Sequence, residues 1–250
     1  MADGPLAGRR IVVTRPRAQA GPLADGLADL GATVTVVPLV AIEELEDASP
    51  LENAVRDLAS YDWVVLTSAN GAAALGRALA GTPLTGPKVA AVGPATAEAV
   101  RELGAEAAFV PAVFTAEDVA AGLGPLSGSR VLLPQADAAG PELGIELRSR
   151  GAEVNSIAAY RTVAVEPSAA LRDELERGPD AIVVASGSAA QALAALGVGL
   201  DSDTLLVCIG PKTAAEAREV GLPVGLVADQ ATAEGIIQAL MSHFGESSGQ

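Results

Sequence analysis

Short apolar runs rich in β-branched side chains recur along the chain and alternate with Ala/Leu-rich stretches whose apolar positions follow a helical period. The runs are RIVVT (10–14), WVVLT (63–67), KVAAV (88–92), RVLLP (130–134), AIVVA (181–185) and TLLVCI (204–209). They lack the apolar/polar alternation of a half-exposed strand, and they suit strands whose sheet is covered by helices on both faces. The alternation of the two patterns predicts a parallel α/β architecture.

The same pattern occurs twice. RIVVTRPRAQAGPLADGLADLGATVTVVPLV (10–40) resembles RVLLPQADAAGPELGIELRSRGAEVNSIAAY (130–160), and VVLTSANGAAAL resembles IVVASGSAAQAL. VGPATAEAVRELG (92–104) returns as IGPKTAAEAREVG (209–221), and TAEDVAAGL is answered by TAEGIIQAL. Between Gly93–Gly104 and Gly210–Gly221, seven of twelve positions are identical. An Ala/Gly-rich composition would not keep four such blocks in one order. The chain is a duplication of roughly 115 to 120 residues, each half holding about five strand–helix units. Two similar doubly wound, flavodoxin-like parallel-sheet domains are expected. Open sheets of this kind bind ligands beyond the C-terminal ends of their strands, so a ligand cleft between the two domains is expected as well.

Composition narrows the chemistry. Half of the 250 residues are hydrophobic, ample for a core. No apolar run reaches the ~18 to 20 residues of a membrane span, and MADGPLAGRR lacks the apolar core of a signal peptide, so a cytoplasmic protein with no membrane partner is expected. The net charge is −15, from 31 acidic and 16 basic residues, and no Lys/Arg cluster tracks a phosphate backbone, which argues against nucleic acid. The single cysteine, Cys208, lies in a predicted strand and reads as a buried thiol. The single histidine, His243, lies near the C-terminal end and reads as exposed. One Cys and one His argue against a transition-metal site or a Ser-His-Asp triad, and no metal is expected. Neither a G-x-G-x-x-G after the first strand nor a G-x-x-x-x-G-K-[ST] is present, so no dinucleotide or nucleoside triphosphate is implied. Glu43, Glu44 and Glu46 read as a solvated linker, and the segment after Phe244 is expected to be disordered.

The candidate chemistry sits at strand ends. Gly93 and Gly210 allow a tight turn with backbone close to a ligand, Pro94 and Pro211 suit a first helical turn, and Thr96 and Thr213 follow near the helix start. The threonines read either as caps, with Thr213 and Glu216 forming a T-x-x-E box, or as ligand contacts beside unpaired backbone N–H groups. Ser68 and Asn70 in TSAN, and Ser186 and Ser188 in ASGS, occupy the same kind of position and carry the same two readings. Thr14 and Arg15 end the first strand, and an arginine there in so acidic a protein suggests an acidic ligand. Lys212 is a second candidate cation. Tyr160 stands where the other copy has Val40 and is a candidate phenol between domains, with core packing as the alternative. Tyr61 reads as structural.

These motifs, in this order and spacing, resemble the uroporphyrinogen-III synthase family: VVTRP, LTSANG, AVGPATAEAVRELG, FTAEDVAAGL, LLPQADAAGPELGIELRSRGAEV, AAYRT, ASGSAA, CIGPKTAAEA and ATAEGIIQAL, covering nearly the whole chain. One departure is Gln135, where many relatives carry a basic residue after Leu-Pro. The resemblance implies a cofactor-independent hydro-lyase that closes hydroxymethylbilane, a linear tetrapyrrole with eight carboxylates, into uroporphyrinogen III. Loss of the terminal hydroxyl gives an azafulvene, and the far ring attacks it to form a spiro intermediate and is then inverted. It also implies that domain one takes 1–40 and 163–250 and domain two takes 41–162. Two antiparallel connecting segments near 38–45 and 158–166 would put Tyr160 at the hinge. A monomer is expected, with at most a transient contact to the preceding pathway enzyme. Tyr160 becomes the candidate acid, since phenols are protonated at neutral pH. Thr14, Arg15, Ser68, Asn70, Gly93, Thr96, Ser186, Ser188, Gly210, Lys212 and Thr213 become the candidate carboxylate receptors. Two other readings remain open on the residues alone: a two-domain module that binds a small anion without chemistry, and a sugar-nucleotide enzyme.

Overall fold

The computed structural model describes residues 4–111, 115–166, 168–197 and 199–247. In chain order the first elements are β1 (Arg10–Val13), α1 (Arg17–Asp29), β2 (Thr33–Val36), β3 (Val40–Glu43), α2 (Ser49–Arg56), β4 (Trp63–Leu66) and α3 (Ala69–Leu79). Then come β5 (Lys88–Ala91), α4 (Pro94–Glu102), β6 (Ala107–Phe109), α5 (Ala116–Gly122), β7 (Arg130–Ala136), α6 (Glu142–Ser149) and β8 (Glu153–Ala164). The last are α7 (Ala169–Glu176), β9 (Ala181–Val184), α8 (Gly187–Ala195), β10 (Leu205–Cys208), α9 (Pro211–Glu219), β11 (Val224–Val227) and α10 (Ala233–Ser247).

The chain divides into two compact units, one of Met1–Ala41 with Val163–Gln250, the other of Ile42–Thr162. The first unit's sheet has the order β11-β10-β9-β1-β2, and the second sheet has β3-β8-β7-β4-β5-β6. The pairs β1–β2, β1–β9, β9–β10 and β10–β11 are parallel, as are β4–β5, β4–β7, β5–β6 and β7–β8. Both sheets therefore carry one doubly wound order. By the internal repeat, β7 and β8 correspond to β1 and β2, while β4, β5 and β6 correspond to β9, β10 and β11. Each compact unit takes its first strand pair from one repeat and its last three strands from the other. The chain passes from one unit to the other twice, inside β3 and inside β8, and those two strands are neighbours.

Side-chain alternation explains why the central strands are apolar throughout. In the first unit, Ile11 and Val13 pack on one face with Leu23, Leu27, Val183 and Ile236, while Val12 packs on the other with Ile182, Leu193 and Leu206. In the second, Val64 and Leu66 face Leu75 and Val89, and Val65 faces Leu133 and Leu147. Each fully buried aliphatic side chain contributes about 1.5–3 kcal/mol, so a polar residue on either face would destabilise these sheets.

The discontinuous unit is also laced by charge. Asp180 accepts from the Arg10 backbone N–H at 2.9 Å and from Arg9 Nη1 at 2.7 Å, and Arg10 pairs with Glu174 at 2.8 Å. Burial of the Asp180 carboxyl opposes ionisation, but these donors outweigh it and its pKa falls below the ordinary value. Residues 9–10 are thereby tied to residues 174–180, a link between the two chain segments of one sheet.

Cys208 is completely buried in β10, and burial raises its thiol pKa to about 11. The native thiol is therefore expected to be inert to disulfide reagents at pH 8 and to react only on unfolding, which a time course with and without urea would show. Because the folded-state pKa is raised, the unfolded chain loses this proton first. The contribution of Cys208 to stability is therefore expected to decline as pH rises above about 9. At the C-terminal end the expectation of disorder after Phe244 is corrected: α10 runs on to Ser247, with Phe244 buried under Arg9, whose guanidinium lies 4.3 Å from the ring centre. Residues 248–250 lie outside the described residues. His243 is exposed, as expected, but belongs to this helix.

Candidate active site

In a doubly wound sheet the ligand position lies beyond the strand ends where the winding reverses. In the second unit that point falls between β4 and β7. Ser68 follows β4 in extended conformation and caps α3, its Oγ accepting the Gly71 N–H at 3.0 Å. The same Oγ lies 2.9 Å from the Tyr160 Oη. Tyr160 enters from β8, is only 6% exposed, and is held by its carbonyl, which accepts the Asp137 N–H at 2.9 Å. Gly71 allows the close approach: a Cβ there would stand 3.2 Å from the Pro134 carbonyl oxygen. Asn70 lies in the same first turn.

The first unit has its reversal between β1 and β9. Ser186 caps α8, accepting the Ala189 N–H at 3.2 Å, and its Oγ is 3.1 Å from that of Ser188. Arg15, just past β1, is half-buried, and among the described residues it has no ion pair or hydrogen bond. Burial alone lowers its pKa. A desolvated guanidinium without a counterion is a standing receptor for a carboxylate. Thr14 is not: it is fully buried and its Oγ1 donates to the Val183 carbonyl at 2.8 Å, a bracing bond between β1 and β9 that leaves no hydroxyl proton for a carboxylate.

The Gly-Pro segments begin α4 and α9, with Gly93 and Gly210 as the N-cap residues and no side-chain cap on either helix. Gly93 needs to be glycine, since its φ is 98°. Gly210 is extended, at φ −177°, and that requirement does not apply to it. The threonines occupy the third helical position, so neither is an N-cap. Thr96 is 3% exposed and its Oγ1 donates to the Val92 carbonyl at 3.1 Å, which removes it as a ligand contact. Thr213 is 7% exposed. The first helical bonds are made by the N–H groups of Ala97 and Ala214, so those of Ala95 and Thr96, and of Lys212 and Thr213, precede them. These N–H groups, with the helix dipole, are what the two segments offer an anion. Lys212 is exposed.

The expected T-x-x-E box does not form. Glu216 lies against the start of α8, where a Cβ on Gly187 would meet Glu216 Oε2 at 1.5 Å. The other copy has Ala69 and Ala99 at these two places, so glycine accompanies the glutamate and alanine accompanies alanine. Gly187→Ala is accordingly expected to lower stability by about 1 kcal/mol, and adding Glu216→Ala should restore it. Urea melts of the two variants measure this, and equal losses in both would refute the pairing.

The two strand-end sites share a scaffold but differ in chemistry. Arg15 corresponds to Gln135, and Val40 to Tyr160, so one unit presents a cation and the other a phenol. Tyr61 is structural: it is buried, accepts Asn155 Nδ2 at 2.7 Å, and lies beneath the Arg130 guanidinium. Sequence reasoning missed Asp137 and Arg161, an ion pair of 2.8 Å beside Tyr160. Neither LPQADAAG nor AAYRT gives a hint of it, because the contact depends on strand register.

Residues 21–238 match the family model described as uroporphyrinogen-III synthase HemD. The chain is 30% identical over 256 residues to a uroporphyrinogen-III synthase of Synechococcus elongatus, with 96% of this chain and 97% of that protein covered. It is 29% identical to the porphyrin biosynthesis protein HemD of Ruminiclostridium josui, covering 95% of this chain and 49% of that longer protein. In fold it is similar to a uroporphyrinogen III synthase of the extreme thermophile Thermus thermophilus, with a TM-score of 0.65, 23% identity, and coverage of 96% of this chain and all of that one. The chain belongs to the uroporphyrinogen-III synthase family.

Proposed function

We propose that the protein closes hydroxymethylbilane into uroporphyrinogen III with loss of water and inversion of the terminal ring, and that it does so without a cofactor. The observation that carries this reading is the Tyr160 phenol, bonded to Ser68 Oγ at 2.9 Å at the strand ends of the second unit. Family membership supplies the substrate class.

Tyr160 Oη gives its proton to the terminal hydroxyl, the C–O bond breaks, water leaves, and the substrate becomes a protonated azafulvene. Ser68, whose Oγ already accepts the Gly71 N–H, turns its own O–H toward the phenolate oxygen, a charge-assisted bond that favours the transfer. The substituted carbon of the far ring attacks the azafulvene carbon and gives the spiro intermediate. That intermediate fragments and recloses through the ring's other side, and the proton lost on restoring the aromatic ring balances the one donated. The substrate makes its own electrophile, so orientation is the protein's larger task.

Substrate carboxylates are received in the first unit by Arg15, by the hydroxyls of Ser186 and Ser188, and by the α9 start at Gly210, Lys212 and Thr213. In the second they meet Asn70 and the α4 start at Gly93, since the Ser68 hydroxyl is engaged with Tyr160. Thr14 and Thr96 have no part in this, since their hydroxyls are spent inside the sheets. No helix among the described residues is long and apolar enough to cross a membrane. The reading is of a cytoplasmic monomer whose product is set by how it folds the substrate.

Incubating the protein, dialysed against chelator, with freshly generated hydroxymethylbilane and separating the oxidised isomers tests the proposal. Type III product is expected. Type I alone, the product of spontaneous closure, would leave only a binding module.

A further inference from the structure

β7 and β8 pair without interruption from Arg130↔Glu153 to Gln135↔Ala158, and then the register shifts, so that the next pair is Ala136↔Tyr160. Ala159 is the extra residue of a β-bulge. Side chains alternate between the faces of a strand with period two, so one added residue exchanges the faces of everything after it. Before the bulge, Ile157 packs on the face it shares with Val64, Leu66 and Leu75. In an unbroken strand Tyr160 would share a face with Ala158, which is exposed. The slip falls just before Tyr160, and the phenol meets Ser68 at the start of α3, the helix whose Leu75 packs with Ile157.

Asp137 holds the chain on either side of this turn. Its N–H donates to the Tyr160 carbonyl at 2.9 Å, and its carboxylate accepts Arg161 Nε at 2.8 Å. The pair is partly solvent-exposed, 51% for Arg161 and 29% for Asp137, so it adds little to global stability. The other copy is informative. There Pro38 stands at the place of Ala158, β2 ends at Val36, and Arg17, Ala41 and Val40 replace Asp137, Arg161 and Tyr160. Clamp and phenol occur together in one copy and are absent together from the other.

We propose that Asp137 and Arg161 are positioning residues whose ion pair locks the bulge that turns Tyr160 toward Ser68. The inference builds on the reading of Tyr160 as proton donor, but its test separates the two. The chain has only two tyrosines. Labelling with 3-fluorotyrosine therefore gives two fluorine resonances, and Tyr61, bonded to Asn155, is the internal control. In Asp137→Ala and Arg161→Met the Tyr160 resonance should move or broaden while that of Tyr61 stays. Turnover should fall about tenfold with KM little changed, as a slightly misplaced group does. Arg161→Lys should recover part of the loss, and Arg161→Met should cost nothing further in a Tyr160→Phe background. Both variants keep the backbone bond from residue 137 to the Tyr160 carbonyl and lose only the ion pair, so Arg161→Met serves if Asp137→Ala fails to fold. An unmoved Tyr160 resonance in Arg161→Met would overturn the inference. A moved resonance with unchanged turnover would uphold the positioning and overturn the donor role instead.

Discussion

Replacing Tyr160 with phenylalanine is expected to lower turnover by about a hundredfold or more, the scale of a positioned proton donor. The fold should persist. The phenyl ring fills the same buried volume, and Ser68 keeps its capping bond to the Gly71 N–H, so the loss is one hydrogen bond, worth about 1 kcal/mol. Steady-state kinetics and urea denaturation on the same preparation separate the effects. A variant that turns over normally would move the acid role to solvent or to the substrate's own carboxylic acids.

The second large effect is expected at Arg15. Arg15→Gln installs in the first unit the residue that the duplicate already has at position 135, and removes a half-buried charge that has no acidic partner among the described residues. Hydrogen bonds to charged groups contribute about 1.5–3 kcal/mol, so KM should rise roughly ten- to a hundredfold while the rate of the bound complex changes little. Stability should hold or increase, since the folded protein no longer desolvates an uncompensated cation. Normal KM in this variant would show that Arg15 does not receive substrate. A fall in stability would show that it has an unrecognised structural role.

Much of the scaffold is legible because it follows from local rules. All six apolar runs became central strands, and Ser68 of TSAN and Ser186 of ASGS became N-caps at the predicted strand-to-helix turns. The edge strands β2, β6 and β11 were less visible because they are only partly buried. The cap reading of Thr96 and Thr213 fails for a physical reason. With proline as first helical residue and glycine before it, the cap position is already taken, and a hydroxyl at the third position can bond back into the preceding strand, as Thr96 does. Thr14 misled likewise, since a strand-end threonine is spent on its neighbour's carbonyl. Gly187 with Glu216 and Asp137 with Arg161 could not be read at all. Each pair is made by elements far apart in sequence, and the second depends on a one-residue slip that no periodicity announces.

The proposed function divides the work between the units: the one carrying Arg15 would hold charge, and the one carrying Tyr160 would move a proton. Single-turnover rates with enzyme in large excess over hydroxymethylbilane, followed for Arg15→Gln and Tyr160→Phe, test that division directly. Excess enzyme is predicted to bring Arg15→Gln back to nearly the native rate and to leave Tyr160→Phe slow. Recovery of Tyr160→Phe, with Arg15→Gln remaining slow, would contradict it.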